Sequence, residues 1–199
     1  MRKEIKYEFP LGIDKSIITF LRINLCKEIY ENRTVNSIYY DNNQLDLFHE
    51  TANGIGLRNK LRLRFYNKAD KIYKIERKIK FYELNDKFFY NSEDLGKNNS
   101  SNSEENLIFN INNSSKILIP HFINGSYFPT VFVKYNRRYF LTPCSKGRLT
   151  IDTNINFSKV SINNKVINLS PNRFLGHDIL EIKFEFDSHS ISNLISKIV

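Results

Sequence analysis

The sequence predicts an α+β protein built on an antiparallel sheet. Three observations carry that prediction. Polar and apolar residues alternate at a two-residue period in several separate stretches, the mark of strands with one apolar face. Apolar residues recur at helical spacing only in short segments. The composition is rich in aromatics, with 16 Phe and 11 Tyr but no Trp, and poor in Gly, at 7, which suits strands.

In chain order, Arg2 to Glu8 alternates, with Arg2, Glu4, Lys6 and Glu8 on one face and Lys3, Ile5, Tyr7 and Phe9 on the other. This predicts a strand ending at Pro10. Asp14 or Ser16 supplies an N-cap for a helix in which Ile17, Ile18, Leu21, Leu25 and Ile29 share a face, running to about Glu31. Val35–Tyr40 is a strand, followed by a turn at Asp41–Asn43 and a short helix or second turn. Leu57–Tyr66 and Ile72–Tyr82 form a hairpin across NKAD, and Leu84–Tyr90 adds a short strand. The Asn/Ser-rich stretch at about 96–115 reads as a mobile surface insertion within a single 1–199 domain. TVFVKYNRRYFL and RLTIDTNI form a second hairpin about a Pro143–Gly147 turn. Val160–Leu169 is loop or weak strand, Ile179–Phe186 is a sharply alternating strand, and Ser188–Val199 is a short amphipathic helix.

The formal net charge is +9, from 30 Lys plus Arg against 21 Asp plus Glu, which favours polyanionic partners without choosing among them. Cys26 and Cys144 lack a CxxC context and read as reduced thiols of a cytoplasmic protein. No stretch is apolar over the roughly 18 residues of a membrane helix, and the start lacks the apolar core of a signal peptide. Neither GxxxxGK[ST] nor GxGxxG occurs. His49, His121, His177 and His189 show no metal-ligand spacing.

The charged faces hold the functional content. Arg58, Lys60, Arg62 and Arg64 share one side, and Lys74, Glu76, Lys78 and Lys80 share one side of the next strand. Like charges opposed on neighbouring strands destabilise a sheet, so an anion is expected among them. Arg148, Thr150 and Asp152 share a side, as do Glu181, Lys183 and Glu185. Two architectures accommodate these faces: an open sheet with its charged face in water, or a closed barrel with a wet, charged lumen. Arginine and lysine bind phosphate oxygens, and carboxylates among them suit Mg²⁺ or Mn²⁺ bridging phosphates. The plainer alternatives are a solvated sheet face, cross-strand ion pairs for Glu181 and Lys183, and core roles for Tyr39, Tyr73, Phe81, Phe184 and Phe186. Asp41 and Asp46 read as turn and cap residues.

The ordered motifs EIK at Glu4–Lys6, SIYYDNNQLDL at Ser37–Leu47, KLRLRFY at Lys60–Tyr66, IERK at Ile75–Lys78, VKYNRRYF at Val133–Phe140, RLTID at Arg148–Asp152 and LEIK at Leu180–Lys183 resemble the VTC domain. That family is the polyphosphate polymerase branch of the triphosphate tunnel metalloenzymes, related to the CYTH group. The resemblance implies a closed antiparallel β-barrel of about eight strands with outer helices. It implies a Mn²⁺ or Mg²⁺ cofactor and growth of inorganic polyphosphate from the γ-phosphate of ATP. It assigns phosphate contacts to Lys6, Arg62, Arg64, Lys78, Arg137, Arg148 and Lys183, with Lys60, Lys80 and Lys87 as further basic groups. Glu181 resembles the family's metal-binding glutamate, and Glu4 and Glu76 are candidates for metal binding or for ordering the basic groups. Arg137 is out of parity with Lys134 and Arg138, so either a bulge intervenes or one of those two takes its place. The chain departs from relatives in a shorter C-terminus and in the Asn/Ser stretch. The implied partners are ATP and polyphosphate, with no nucleic acid; a domain of this kind can also serve as a module of a membrane assembly. A triphosphatase of the same fold, a non-catalytic polyphosphate- or nucleotide-binding module and a nucleic-acid binder with an open basic sheet are the alternatives.

Overall fold

A computed structural model describes residues 2–67, 73–82, 84–92, 125–163 and 166–185. The expected insertion at about 96–115 and the C-terminal helix lie outside these residues. The described elements, in order, are β1 (Arg2–Pro10), α1 (Asp14–Ile23), β2 (Lys27–Asp41), α2 (Asp46–Ala52), β3 (Leu57–Tyr66), β4 (Tyr73–Phe81), β5 (Leu84–Ser92), β6 (Phe128–Leu141), β7 (Gly147–Asn163), β8 (Val166–Leu169), β9 (Arg173–Phe174) and β10 (His177–Glu185). The sheet order is β1-β10-β7-β6-β2-β3-β4-β5, with β8 and β9 paired to β7. The eight strands of that path match the expected number. The closed barrel is not what is found: β1 and β5 end the path, and the described residues form no ladder between them. Side-chain alternation fixes which face is charged, whereas closure depends on strand tilt and stagger, which alternation does not encode.

The chain divides into two compact units. The first comprises Met1–Thr34, Lys134–Asn156 and Phe174–Val199. Its core gathers Ile17, Ile18 and Leu21 of α1 with Phe140, Leu149, Ile151, Leu180, Ile182 and Phe184, while Ile5, Tyr7 and Phe9 of β1 pack against it. The alternation read for β1 and β10 therefore places the apolar rows as expected. Truncating one of these fully buried aliphatics costs about 2–5 kcal/mol. The helix α1 stops at Ile23, well short of Glu31. Leu25 adopts a left-handed backbone, φ 58°. Its N–H donates to Arg22 O at 3.0 Å and the Cys26 N–H to Leu21 O at 2.9 Å, which closes the helix. Leu25 is then 77% exposed, and the chain continues as β2.

The second unit comprises Val35–Val133 and Phe157–Arg173. Its core holds Ile38, Tyr40, Leu47, Leu61, Leu63, Phe65, Ile75, Phe132 and Val160. The helix α2 takes its cap from Asp41, whose carboxylate accepts from the N–H groups of Leu47 at 3.0 Å and Phe48 at 2.9 Å, and from Asn42 Oδ1, which accepts from the Asp46 N–H at 3.1 Å. The expected turn-and-cap role of Asp41 is what the geometry gives it. Gly54 (φ 66°) ends the helix, with the Ile55 N–H donating to Glu50 O at 3.0 Å. Two aromatics expected in the core are elsewhere. Phe81 is half exposed at the end of β4. Tyr39 sits opposite Arg62 in the ladder, on the charged side of β2, where its hydroxyl finds a donor that an apolar core lacks.

Candidate functional site

Each unit carries one charged face, and the ladder register explains its composition. In the second unit, Tyr39 stands opposite Arg62 and Ser37 opposite Arg64 across β2 and β3. Arg62 stands opposite Glu76, Lys60 opposite Lys78 and Arg58 opposite Lys80 across β3 and β4. Lys78 in turn stands opposite Lys87 of β5. Residues that oppose one another in a ladder share a face, so Lys60, Lys78 and Lys87 form a row three strands wide.

Glu76 organises this face. It is 3% exposed, and one of its oxygens accepts from Arg62 Nε at 2.6 Å while the other meets Lys87 Nζ at 2.7 Å. Burial alone would raise its carboxyl. The charge of Arg62, the hydrogen bond from Lys87 and the charge of Arg64 outweigh that and bring it down to about 2. Arg62 also donates to the Tyr39 hydroxyl at 3.3 Å, and Arg64 donates to Ser37 Oγ at 3.2 Å. Burial raises the Tyr39 phenol, but Arg62, Arg64 and Lys60 pull it below its ordinary value. With both oxygens engaged by cations, Glu76 has the geometry of an ordering group.

In the first unit, Lys6 stands opposite Glu181 and Glu4 opposite Lys183 across β1 and β10. Arg148, Thr150 and Asp152 of β7 stand opposite Lys183, Glu181 and Ile179. Lys183 pairs with Glu181 and, at 3.4 Å, with Glu4; Lys6 reaches Glu4 at 3.6 Å and Glu181 at 3.7 Å. Burial raises the Glu181 carboxyl, and Lys183, Lys6 and Arg137 more than offset it, so it lies below its ordinary value. Arg137 holds Asp152 in a two-pronged contact, 2.5 Å on each arm. Asp152 is nonetheless raised, by burial first and by the like charge of Glu181. The parity question is thereby answered: Arg137 lies on the face of Asp152 and Glu181, and Arg138 turns to Glu28, at 2.7 and 2.8 Å. Arg148 is exposed and has no ion-pair partner among the described residues.

The basic candidates thus fall into two groups, Lys60, Arg62, Arg64, Lys78, Lys80 and Lys87 in one unit and Lys6, Arg137, Arg148 and Lys183 in the other. Sequence reading gave Tyr39 and Ser37 no site role. The signal was present, since both alternate with the core residues Ile38 and Tyr40.

Carboxylates among basic groups are the donor type that holds a divalent cation on phosphate. Among the described residues no group of three or more His, Cys, Asp or Glu side chains could hold a metal ion. Magnesium-type ions on phosphates, however, need only one or two carboxylates, the remaining positions being filled by phosphate oxygens and water. Glu181 and Glu4 supply such oxygens on neighbouring strands. Thr150, opposite Glu181, has a buried hydroxyl with no partner among the described residues.

An antiparallel sheet with basic faces studded by carboxylates offers Arg and Lys groups of the kind that bind phosphate oxygens. Two solved structures share the fold. A protein from Vibrio parahaemolyticus assigned as an adenylate cyclase superposes with a TM-score of 0.54 at 14% identity, over 98% of this chain and 86% of its own. An adenylyl cyclase-like protein from Hippeastrum, described as having a dominant triphosphatase activity, superposes with a TM-score of 0.57 at 11% identity, over 100% of this chain and 86% of its own. No curated protein matches the sequence. These likenesses show that the fold is shared. Residues 2–199 match the model of the VTC domain, and the chain belongs to that family.

Proposed function

We propose that the chain is a polyphosphate polymerase, moving the γ-phosphate of ATP onto a growing inorganic polyphosphate chain. The observation that carries this reading is the row Lys60–Lys78–Lys87 beside Arg62 and Arg64, set against the buried Glu76. So strong a basic excess suits a long polyanion better than a single phosphate group. Arg62 and Arg64, held by Glu76 and Ser37, offer planar forks to phosphate oxygens. Lys60, Lys78, Lys80 and Lys87 add point charge along the chain. In the first unit, taken by itself, Arg137, fixed by Asp152, and the exposed Arg148 carry guanidinium groups, with Lys6 and Lys183. Glu181 and Glu4 are the residues that would hold Mn²⁺ or Mg²⁺. Such an ion neutralises phosphate charge during in-line transfer. Glu76, between Arg62 and Lys87, is assigned to ordering the cations. The proposed location, for a chain that draws on ATP, is the cytoplasm.

A triphosphatase with water as acceptor is the second reading, favoured by the activity described for the Hippeastrum relative. Incubation of the purified protein with ATP and Mn²⁺, with products resolved on a gel, separates the readings. A ladder of long chains is expected. Free phosphate without chains would establish the triphosphatase, and ATP binding without turnover would leave a binding module. Arg64→Ala should lose most of the ladder while keeping the circular dichroism of the parent.

A further inference from the structure

We propose that a small pocket beside α2 receives the nucleobase of the triphosphate donor; this rests on the reading of the protein as an ATP-using enzyme. The pocket measures about 230 Å³ and is lined by residues of β2, α2, β3 and β6, all within the second unit. It is smaller than the roughly 300–1,000 Å³ of a site for a whole drug-sized ligand, and suits one ring system.

Four features point to that occupant. Lys60 and Tyr39, which belong to the basic face, are also among the residues that line the pocket. Phe48 lines it while 58% exposed, a large aromatic ring left accessible on a helix that packs its neighbour Leu47 into the core. Aromatic rings stack on nucleobases whatever the base. Thr51 lines it too, and its buried hydroxyl has no hydrogen-bond partner among the described residues. A buried polar atom left so is costly unless a ligand or water meets it. Asp41, the carboxylate in the lining, is committed to the N–H groups of Asn42, Leu47 and Phe48, which spread its charge into the first turn of α2. A planar ligand with apolar faces and a polar edge, attached to phosphates, matches this set.

The test compares ATP with inorganic tripolyphosphate, which shares the phosphates and lacks the base. Dissociation constants for both are measured by calorimetry on the full chain with Mg²⁺, for the parent, Phe48→Ala and Thr51→Val. Phe48 is exposed, so its truncation leaves folding intact. Phe48→Ala is expected to weaken ATP about tenfold, the scale of one lost stacking contact, with tripolyphosphate unchanged. Thr51→Val should shift ATP in the same direction by less. Equal shifts for the two ligands, or no shift for either, would overturn the pocket assignment and leave the phosphate chemistry standing. A parent that binds neither ligand would overturn both.

Discussion

Glu76 is the residue on which the basic face of the second unit depends. Its carboxyl is depressed to about 2 from an ordinary 4.5. A depressed folded-state value means the unfolded chain binds the proton more readily. The stabilisation is therefore complete above about pH 4.5 and fades as the pH falls toward 2. Glu76→Gln should lower stability by about 2 kcal/mol at neutral pH, allowing for solvent screening. The difference from the parent should close as the pH is taken below 4.5, which urea unfolding of both proteins across that range will measure. A constant gap would mean that the residue contributes by shape and not by charge. Much of this face is legible in the sequence, because charge on alternate residues of β3 and β4 reports side directly. Tyr39 is less so, because a tyrosine suits either side of a strand: its ring favours the core and its hydroxyl favours Arg62. Arg137 and Arg138 are adjacent and chemically identical; only the positions of Asp152 and Glu28 in space tell them apart.

At the level of elements, the two helices differ in how plainly they announce their ends. Gly54 closes α2 in the left-handed region that glycine favours, and Asp41 and Asn42 precede it as recognisable cap residues. The end of α1 is hidden because the same left-handed position is filled by Leu25. Leu25 and Ile29 then prolong the apolar spacing of the helix into what is really the turn and the start of β2. The cap of α2 also holds the wall of the pocket that carries Phe48 and Thr51. Asp41→Ala removes the acceptor of two first-turn N–H groups and should cost about 2 kcal/mol, at the upper end for a helix cap. Thermal unfolding will measure that loss. Asp41→Asn, which retains one acceptor oxygen, should recover part of it.

For the molecule as a whole, opposed like charges make the free protein less stable than the phosphate-bound one. Tripolyphosphate at a hundred times its dissociation constant should add about 2.7 kcal/mol to the unfolding free energy. In a chain of this size that is roughly a 5–10 °C rise in the midpoint. Differential scanning fluorimetry reads this directly, and the rise should shrink as NaCl is added, because the contacts are ionic. The placing of the apolar rows was readable from periodicity, while the number of strands came with the family resemblance. Whether the sheet closes was not readable, since nothing in the side chains of β1 or β5 states whether those strands meet. The Lys60–Lys78–Lys87 row has a bearing on motion as well as on grip. An ammonium group on a four-carbon stem meets any oxygen in reach and prefers no one angle. If the proposed polymerase reading holds, a polymer of identical units lying along such a row could slip forward by one unit, trading contacts one at a time, and its threading would need no moving part.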